Sequence, residues 1–105
     1  IDLPNDMDIS KPAENAEPVE CRLTIVNKRG LHARAAAKFV KLVETFTADV
    51  NVSKDGETVS GRSIMGLMML AASPGTEIHV AAAGTDAVAA LDAITQLVDD
   101  RFDAD

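Results

Sequence analysis

The spacing of apolar residues along the chain changes from strand-like to helical and back. Leu23 and Ile25 alternate with polar neighbours, which predicts a first β-strand that begins at Cys21 and ends in the loop 27–30. Apolar residues then recur every three or four positions, which predicts an amphipathic helix from about Ala33 to Thr45. The predicted buried stripe of this helix is Ala36, Phe39, Val40, Val43 and Phe46.

Turn and cap residues divide the rest of the chain. The pair Asp55-Gly56 predicts a β-hairpin, because it favours a tight turn with positive φ. A short helix follows from a cap at Ser63 to about Ala72, then a strand from Glu77 to Ala83, then a helix from Gly84-Thr85-Asp86 to about Arg101. The order β-α-β-β-α-β-α predicts an α+β open-faced sandwich, with three helices on one face of a four-stranded antiparallel sheet.

The N-terminal segment has a different composition. Residues 1–20 contain three prolines, six acidic residues, one lysine and no aromatic residue. Such a segment buries too little apolar surface to offset the entropy of ordering it. We therefore expect a disordered acidic tail at 1–20 and a single domain at 21–105, which is long enough for one core.

Charge is distributed unevenly around a net value of −7. Residues 21–62 hold eight bases and four acids, whereas residues 63–105 hold one base and seven acids. The basic part contains His32 and would favour phosphoryl groups and acidic partner proteins. Negative net charge and the absence of Trp and Tyr argue against nucleic acid as a partner.

Cysteine count and hydropathy bear on the cellular location. Cys21 is the only cysteine, so it cannot form an internal disulfide, which fits a reducing cytoplasm. The longest apolar run, from Ile64 to Ala72, is shorter than the ~20 residues that cross a bilayer, so we expect no membrane insertion. A zinc site of Cys21, His32 and His79 would lack close ligand spacing, so we expect no metal and no cofactor.

One histidine lies between a basic loop that ends in glycine and the first predicted helix. At this position His32 would be close to helix N-terminal N–H groups, which attract anions, and Arg34 could bind phosphate through two hydrogen bonds. A neutral imidazole nitrogen can attack a phosphoryl group and form a reactive phosphoramidate. Taken alone, both residues could equally be ordinary surface side chains near a helix end.

The helix that begins at Ser63 is apolar on nearly every side. Its better inner stripe is Leu67, Leu70 and Ala71. This leaves an exposed and adaptable patch of Ile64, Met65 and Met68, suited to binding partner proteins. Ser63 itself is typical of a helix N-cap, and a phosphate added there would be tolerated by the helix but would repel an acidic partner.

Two segments resemble one known family. Gly30-Leu31-His32-Ala33-Arg34 resembles the active-site motif of the HPr family, the histidine phosphocarriers of the phosphoenolpyruvate-dependent phosphotransferase system. Ser63-Ile64-Met65-Gly66-Leu67-Met68-Met69-Leu70 resembles the regulatory-serine helix of that family, at the family's relative spacing. The resemblance extends from Cys21 to about Phe102. The chain differs at Ala35, where most members have proline, so the first helical turn is less rigidly preset.

The resemblance implies an HPr-like fold and a cytoplasmic, monomeric phosphocarrier that is a substrate of enzymes more than an enzyme. His32 would accept a phosphoryl group from phosphorylated Enzyme I and pass it to an EIIA-type protein, while Arg34 positions the oxygens. Ser63 would be phosphorylated by an HPr kinase/phosphorylase. The two motifs most resemble HPr proteins of alphaproteobacteria, in which the pathway is mainly regulatory and often related to nitrogen.

Two alternatives belong to other functional classes. The chain could be a regulatory binding module that transfers no phosphate, in which the Ser63 helix and its methionine patch bind a partner and His32 has no role. It could also be a small-ligand domain, which would need a concave apolar pocket.

Overall fold

A computed structural model describes residues 18–103 of the chain. The elements are β1 (Val19–Thr24), α1 (Ala33–Val43), β2 (Asp49–Lys54), β3 (Glu57–Ser60), α2 (Ile64–Met69), β4 (Glu77–Ala83) and α3 (Ala87–Asp99). The predicted order β-α-β-β-α-β-α is therefore confirmed.

The strands form one antiparallel sheet in the order β1-β4-β2-β3. Along β4, Ile78, Val80 and Ala82 are buried, while the residues between them are more exposed. His79 therefore lies on the open face, where its Nε2 is 2.7 Å from Glu20 Oε1. One sheet face is covered and the other is open, which confirms the open-faced sandwich.

The helices bury stripes of small and branched side chains against the sheet. The buried residues of α1 are Ala35, Ala36, Phe39, Val40 and Val43. Those of α3 are Ala87, Ala90, Leu91, Ile94 and Val98. Each fully buried valine, leucine or phenylalanine contributes about 1.5–3 kcal/mol. Small alanines fill the remaining buried positions of both helices.

All three helices end earlier than predicted. Helix α1 ends at Val43 instead of Thr45, since Thr45 and Phe46 donate to carbonyls three residues back. Helix α2 ends at Met69 instead of Ala72, and Ala71 adopts a positive φ of 53°. Helix α3 ends at Asp99, because residues 101–103 form a left-handed turn that buries Phe102.

The β2–β3 hairpin has the predicted turn chemistry. Asp55 and Gly56 have φ values of 51° and 86°, as the Asp-Gly pair indicated.

The predicted tail falls almost entirely outside the described residues. Residues 1–17 lie outside them, and the division into a tail and one domain stays a prediction. The first strand begins at Val19, two residues before the predicted start at Cys21. Val19 and Glu20 pair with Ala82 and Ala81 of β4, so they belong to the sheet.

We predict that deletion of residues 1–17 leaves the melting temperature nearly unchanged, because their composition disfavours packing. Deletion of residues 1–20 is the matched control, since it also removes two pairs of β1 with β4. In a small domain, each kcal/mol of stability lost lowers Tm by about 4–8 °C, so the longer deletion is expected to melt several degrees lower. Calorimetry measures the melting temperature of both deletions. A Tm for the shorter deletion several degrees below that of the full chain would contradict the prediction.

Candidate functional site

His32 is the N-cap residue of α1. Its backbone is extended, with φ −78° and ψ 178°, and its side chain makes no capping hydrogen bond to the helix. The first helical hydrogen bond runs from the Ala36 N–H to the His32 carbonyl, at 2.8 Å. The N–H groups of residues 33–35 therefore precede the helical ladder, beside a half-buried imidazole. Together they form a site where an anion attached to the ring can be stabilised.

A glycine and a long-range hydrogen bond hold the loop before His32. Gly30 has φ 67°, and a Cβ atom there would collide with the carbonyl oxygen of Ala72. That same oxygen accepts a hydrogen bond of 2.9 Å from the Leu31 N–H, and Leu31 is buried. The loop that carries His32 is thus attached to the chain segment just after α2.

Arg34 lies in the first turn of α1 and is exposed. Within residues 18–103, no hydrogen bond or ion pair holds its guanidinium group. Helix α1 also carries Lys38 and Lys41 and has no acidic residue. Its surface is therefore basic, and Arg34 can turn toward a phosphoryl group at the helix N-terminus.

Ser63 is the N-cap of α2, as predicted. Its Oγ accepts a hydrogen bond of 2.9 Å from the Gly66 N–H. Ala72, which binds the His32 loop, follows the opposite end of this helix. With a rise of about 1.5 Å per residue, the helix places Ser63 about 10 Å from its own last turn. Ser63 and the segment that binds the His32 loop therefore lie at opposite ends of α2.

The outer side of α2 is an apolar patch. The three predicted side chains are exposed, and Met69 adds a fourth: Ile64 41%, Met65 69%, Met68 40%, Met69 70%. The signal for Met69 was its position four residues after Met65, on the same helix side. The predicted inner stripe is correct for Leu67 and Leu70 but wrong for Ala71. Since the chain turns left-handed at Ala71, that residue is exposed and Ala72 is buried instead.

Asn27 is a residue that the sequence analysis did not select as functional. It is fully buried, and its Nδ2 donates to the Gly30 carbonyl at 2.9 Å. Its Oδ1 has no hydrogen-bond partner among the described residues. The alternation of β1 contained a signal, because Asn27 continues the inward-facing series of Leu23 and Ile25. A polar residue at an inward position indicates a specific hydrogen bond.

The described surface away from His32 gives little support to a small-ligand site or a metal site. A recess of about 560 Å³ near the β2–β3 turn is open and is lined by charged and polar side chains, including Arg22, Lys54 and Glu77. A small-ligand domain would need an enclosed apolar pocket instead. Among residues 18–103, no three His, Cys, Asp or Glu side chains are arranged to hold a metal ion. No helix in this part of the chain is long and apolar enough to span a membrane.

Comparison with known proteins decides the family. A family model described as "PTS HPr component phosphorylation site" matches residues 19–100. The chain belongs to the HPr family. The predicted resemblance is thereby confirmed, and it places the protein among the phosphocarriers of the phosphotransferase system.

Individual HPr relatives match over most of their length. The phosphocarrier protein HPr of Xylella fastidiosa (strain Temecula1) is 45% identical over 87 residues, 83% of this chain and 98% of the relative. The phosphocarrier protein NPr of Shewanella violacea is 45% identical over 85 residues, 81% of this chain and 93% of the relative. A crystal structure of HPr from Thermoanaerobacter tengcongensis has a TM-score of 0.79 and 38% identity, covering 83% of this chain and 98% of that one.

The departure from most of the HPr family at Ala35 does not disturb the helix. Helix α1 begins at Ala33, and Ala35 is fully buried within its first turn. Alanine keeps a backbone N–H that proline lacks. This chain therefore has one more N–H group ahead of the helical ladder than a member with proline there.

Proposed function

We propose that the protein is a phosphocarrier in which His32 accepts a phosphoryl group from phosphorylated Enzyme I and passes it to a histidine of an EIIA-type protein. The observation that carries this proposal is the position of His32 as the N-cap of α1, with the N–H groups of residues 33–35 beside it. Membership of the HPr family supports the transfer, because the relatives are named phosphocarrier proteins.

In the transfer, a neutral ring nitrogen of His32 attacks the phosphorus atom held by the donor. A new phosphorus–nitrogen bond forms, and the bond to the donor breaks with its electron pair staying on the donor, which takes up a proton. The imidazole of His32 in turn loses its N–H proton to solvent. Charge at a helix N-terminus is stabilised by only about 0.3–1 kcal/mol, so the phosphate is held without being trapped. The protein is consumed and regenerated as a covalent intermediate, which makes it a carrier and not an enzyme.

We further propose where the protein acts, how it is regulated and to which branch of the pathway it belongs. We assign the protein to the cytoplasm, in agreement with its single cysteine. We also propose that it is a monomer and needs no cofactor. Ser63 is proposed as a site of regulatory phosphorylation by an HPr kinase/phosphorylase. Its position at the head of the exposed apolar patch supports this role. The nitrogen-related branch of the pathway is favoured by the resemblance of the two motifs to those of alphaproteobacterial HPr proteins.

The test is incubation with Enzyme I and radiolabelled phosphoenolpyruvate. The expected result is one phosphate per chain, stable to alkali and released by acid, that passes on to an added EIIA-type protein. A chain that stays unlabelled while an authentic HPr is labelled in the same mixture would reject the proposal.

We predict that Arg34→Ala slows phosphoryl transfer about tenfold, because Arg34 can orient the moving oxygens. The melting temperature should stay nearly unchanged, since the side chain is exposed. Lys41→Ala is the matched control, because Lys41 is an exposed base in the last turn of the same helix. Rapid-quench kinetics measure both variants. Equal transfer rates for the two would leave Arg34 as a surface residue.

The exposed methionine patch favours a second candidate, a regulatory binding module that transfers no phosphate. Four apolar side chains on one short helix suit partner binding, and the apolar area they expose offers binding energy without any chemistry. The labelling experiment separates the two candidates, since the module would bind partners without acquiring phosphate.

A further inference from the structure

Three hydrogen bonds converge on the peptide unit that joins Gly30 to Leu31. Its carbonyl oxygen accepts from the Asn27 Nδ2 and from the His32 N–H, each at 2.9 Å. Its N–H donates to the Ala72 carbonyl, also at 2.9 Å. Because a peptide unit is planar, these bonds together fix one orientation of the whole unit.

This peptide precedes Leu31, one residue before His32, and its carbonyl oxygen accepts the His32 N–H, so its orientation is coupled to that of the N-cap backbone of α1. Gly30 has φ 67°, and a glycine imposes little steric restriction on the rotation of the following peptide. Rotation would break the bond to Ala72 and displace the His32 backbone. The side chain of Asn27 is the part of this arrangement that a single substitution can remove without altering the backbone.

The stability of the fold does not explain the choice of asparagine. Asn27 is fully buried, and its Oδ1 has no hydrogen-bond partner among residues 18–103. A buried unpaired oxygen is unfavourable, so only the amide donor is useful here. A reversed amide would place its oxygen against the Gly30 carbonyl, so the observed orientation is the one that forms a hydrogen bond.

We propose that Asn27 is a positioning residue for phosphoryl transfer at His32, holding the Gly30–Leu31 peptide so that the imidazole and the α1 N-terminus keep their relative placement. This inference rests on the proposed function of His32. Asn27 acts through the loop and does not touch the phosphoryl group. Its loss therefore lowers the rate constant of transfer more than it weakens the binding of Enzyme I.

The first test compares Asn27→Ala with Thr95→Val. Thr95 donates a side-chain hydrogen bond of 2.8 Å to the Leu91 carbonyl in α3, so its variant also loses one side-chain-to-backbone hydrogen bond, but on another element. Small misplacements of reacting groups cost up to about 100-fold in rate. We expect the kcat of Enzyme I to fall about tenfold when Asn27→Ala is the phosphoryl acceptor. The KM of Enzyme I for this variant should stay within about twofold of its KM for the unmodified protein. Thr95→Val should accept phosphate at the normal rate.

The second test uses Asn27→Asp, which keeps the shape of the side chain. A protonated carboxyl group can donate to the Gly30 carbonyl, whereas an ionised one cannot. Burial raises the pKa of an introduced carboxyl group above its usual value, which brings this change into an accessible pH range. The rate relative to the unmodified protein, taken at each pH, should be near one at low pH and fall about tenfold as pH rises.

The outcomes separate the inference from the proposed function. A kcat for Asn27→Ala within about twofold of normal, or a pH-independent ratio for Asn27→Asp, would overturn the positioning role while leaving His32 as the carrier. If neither variant folds, Asn27 is structural and the inference is wrong. If the unmodified protein takes no label from Enzyme I, the proposed function itself fails.

Discussion

His32→Ala is expected to abolish all labelling from phosphoenolpyruvate while leaving the fold intact. The side chain makes no capping hydrogen bond to α1, so its removal costs the helix little. The chain has two histidines, and the second, His79, lies on the open sheet face beside Glu20. It therefore has no helix N-terminus to stabilise a phosphate. Labelling with Enzyme I, followed by mass spectrometry, measures the loss.

The matched control is His79→Ala, which removes the other histidine. This variant should be labelled as fully as the unmodified protein and should lose only the contact with Glu20, an exposed pair worth about 0–1 kcal/mol. Persistent labelling of His32→Ala, or loss of labelling in His79→Ala, would show that the phosphate is carried elsewhere.

Ser63→Asp is expected to weaken docking to Enzyme I and thereby slow phosphorylation of His32. The substitution places a negative charge at the head of the apolar patch, where an acidic partner would have to approach. Two like charges near 4 Å repel by about 1 kcal/mol in water, which corresponds to a KM about fivefold higher. Added salt should relieve much of this effect, because it screens exposed charges. Steady-state kinetics at several ionic strengths provide the measurement.

Ser63→Asn is the sharpest control, because asparagine caps a helix about as well as aspartate but carries no charge. It should give a normal KM and a normal kcat. Ser63→Ala should also transfer normally and lose about 1 kcal/mol of cap stability. Equal KM values for the Asp and Asn variants at low ionic strength would leave Ser63 as a helix cap alone.

Features that depend on local sequence were predictable. The period of apolar residues identified β1 and α1, turn and cap residues located the other elements, and Asp55-Gly56 specified its turn. The cap at Ser63 followed in the same way, because a hydroxyl group before an apolar run satisfies a free helix N–H. His32 was selected because it precedes a helix, which is also a local property.

Features that depend on distant contacts were not predictable. The end of α2 is set by the left-handed residue Ala71, and the next carbonyl, that of Ala72, accepts a hydrogen bond from Leu31 in the loop before His32. No periodicity indicates such a contact between segments far apart in sequence. For the same reason the hydrogen bond from Asn27 to Gly30 is apparent only in the folded loop.

The pairing of α1 with α3 gives the helical layer an electric polarity. Helix α1 carries three bases and no acid, whereas its neighbour α3 carries two acids and no base. An acidic protein that approaches from solution therefore experiences a torque that turns α1 toward it before the surfaces touch. This orientation acts over a Debye length, about 10 Å at 0.1 M salt. It raises the fraction of collisions that arrive correctly aligned, and so governs association rates while leaving the lifetime of the docked complex to short-range contacts.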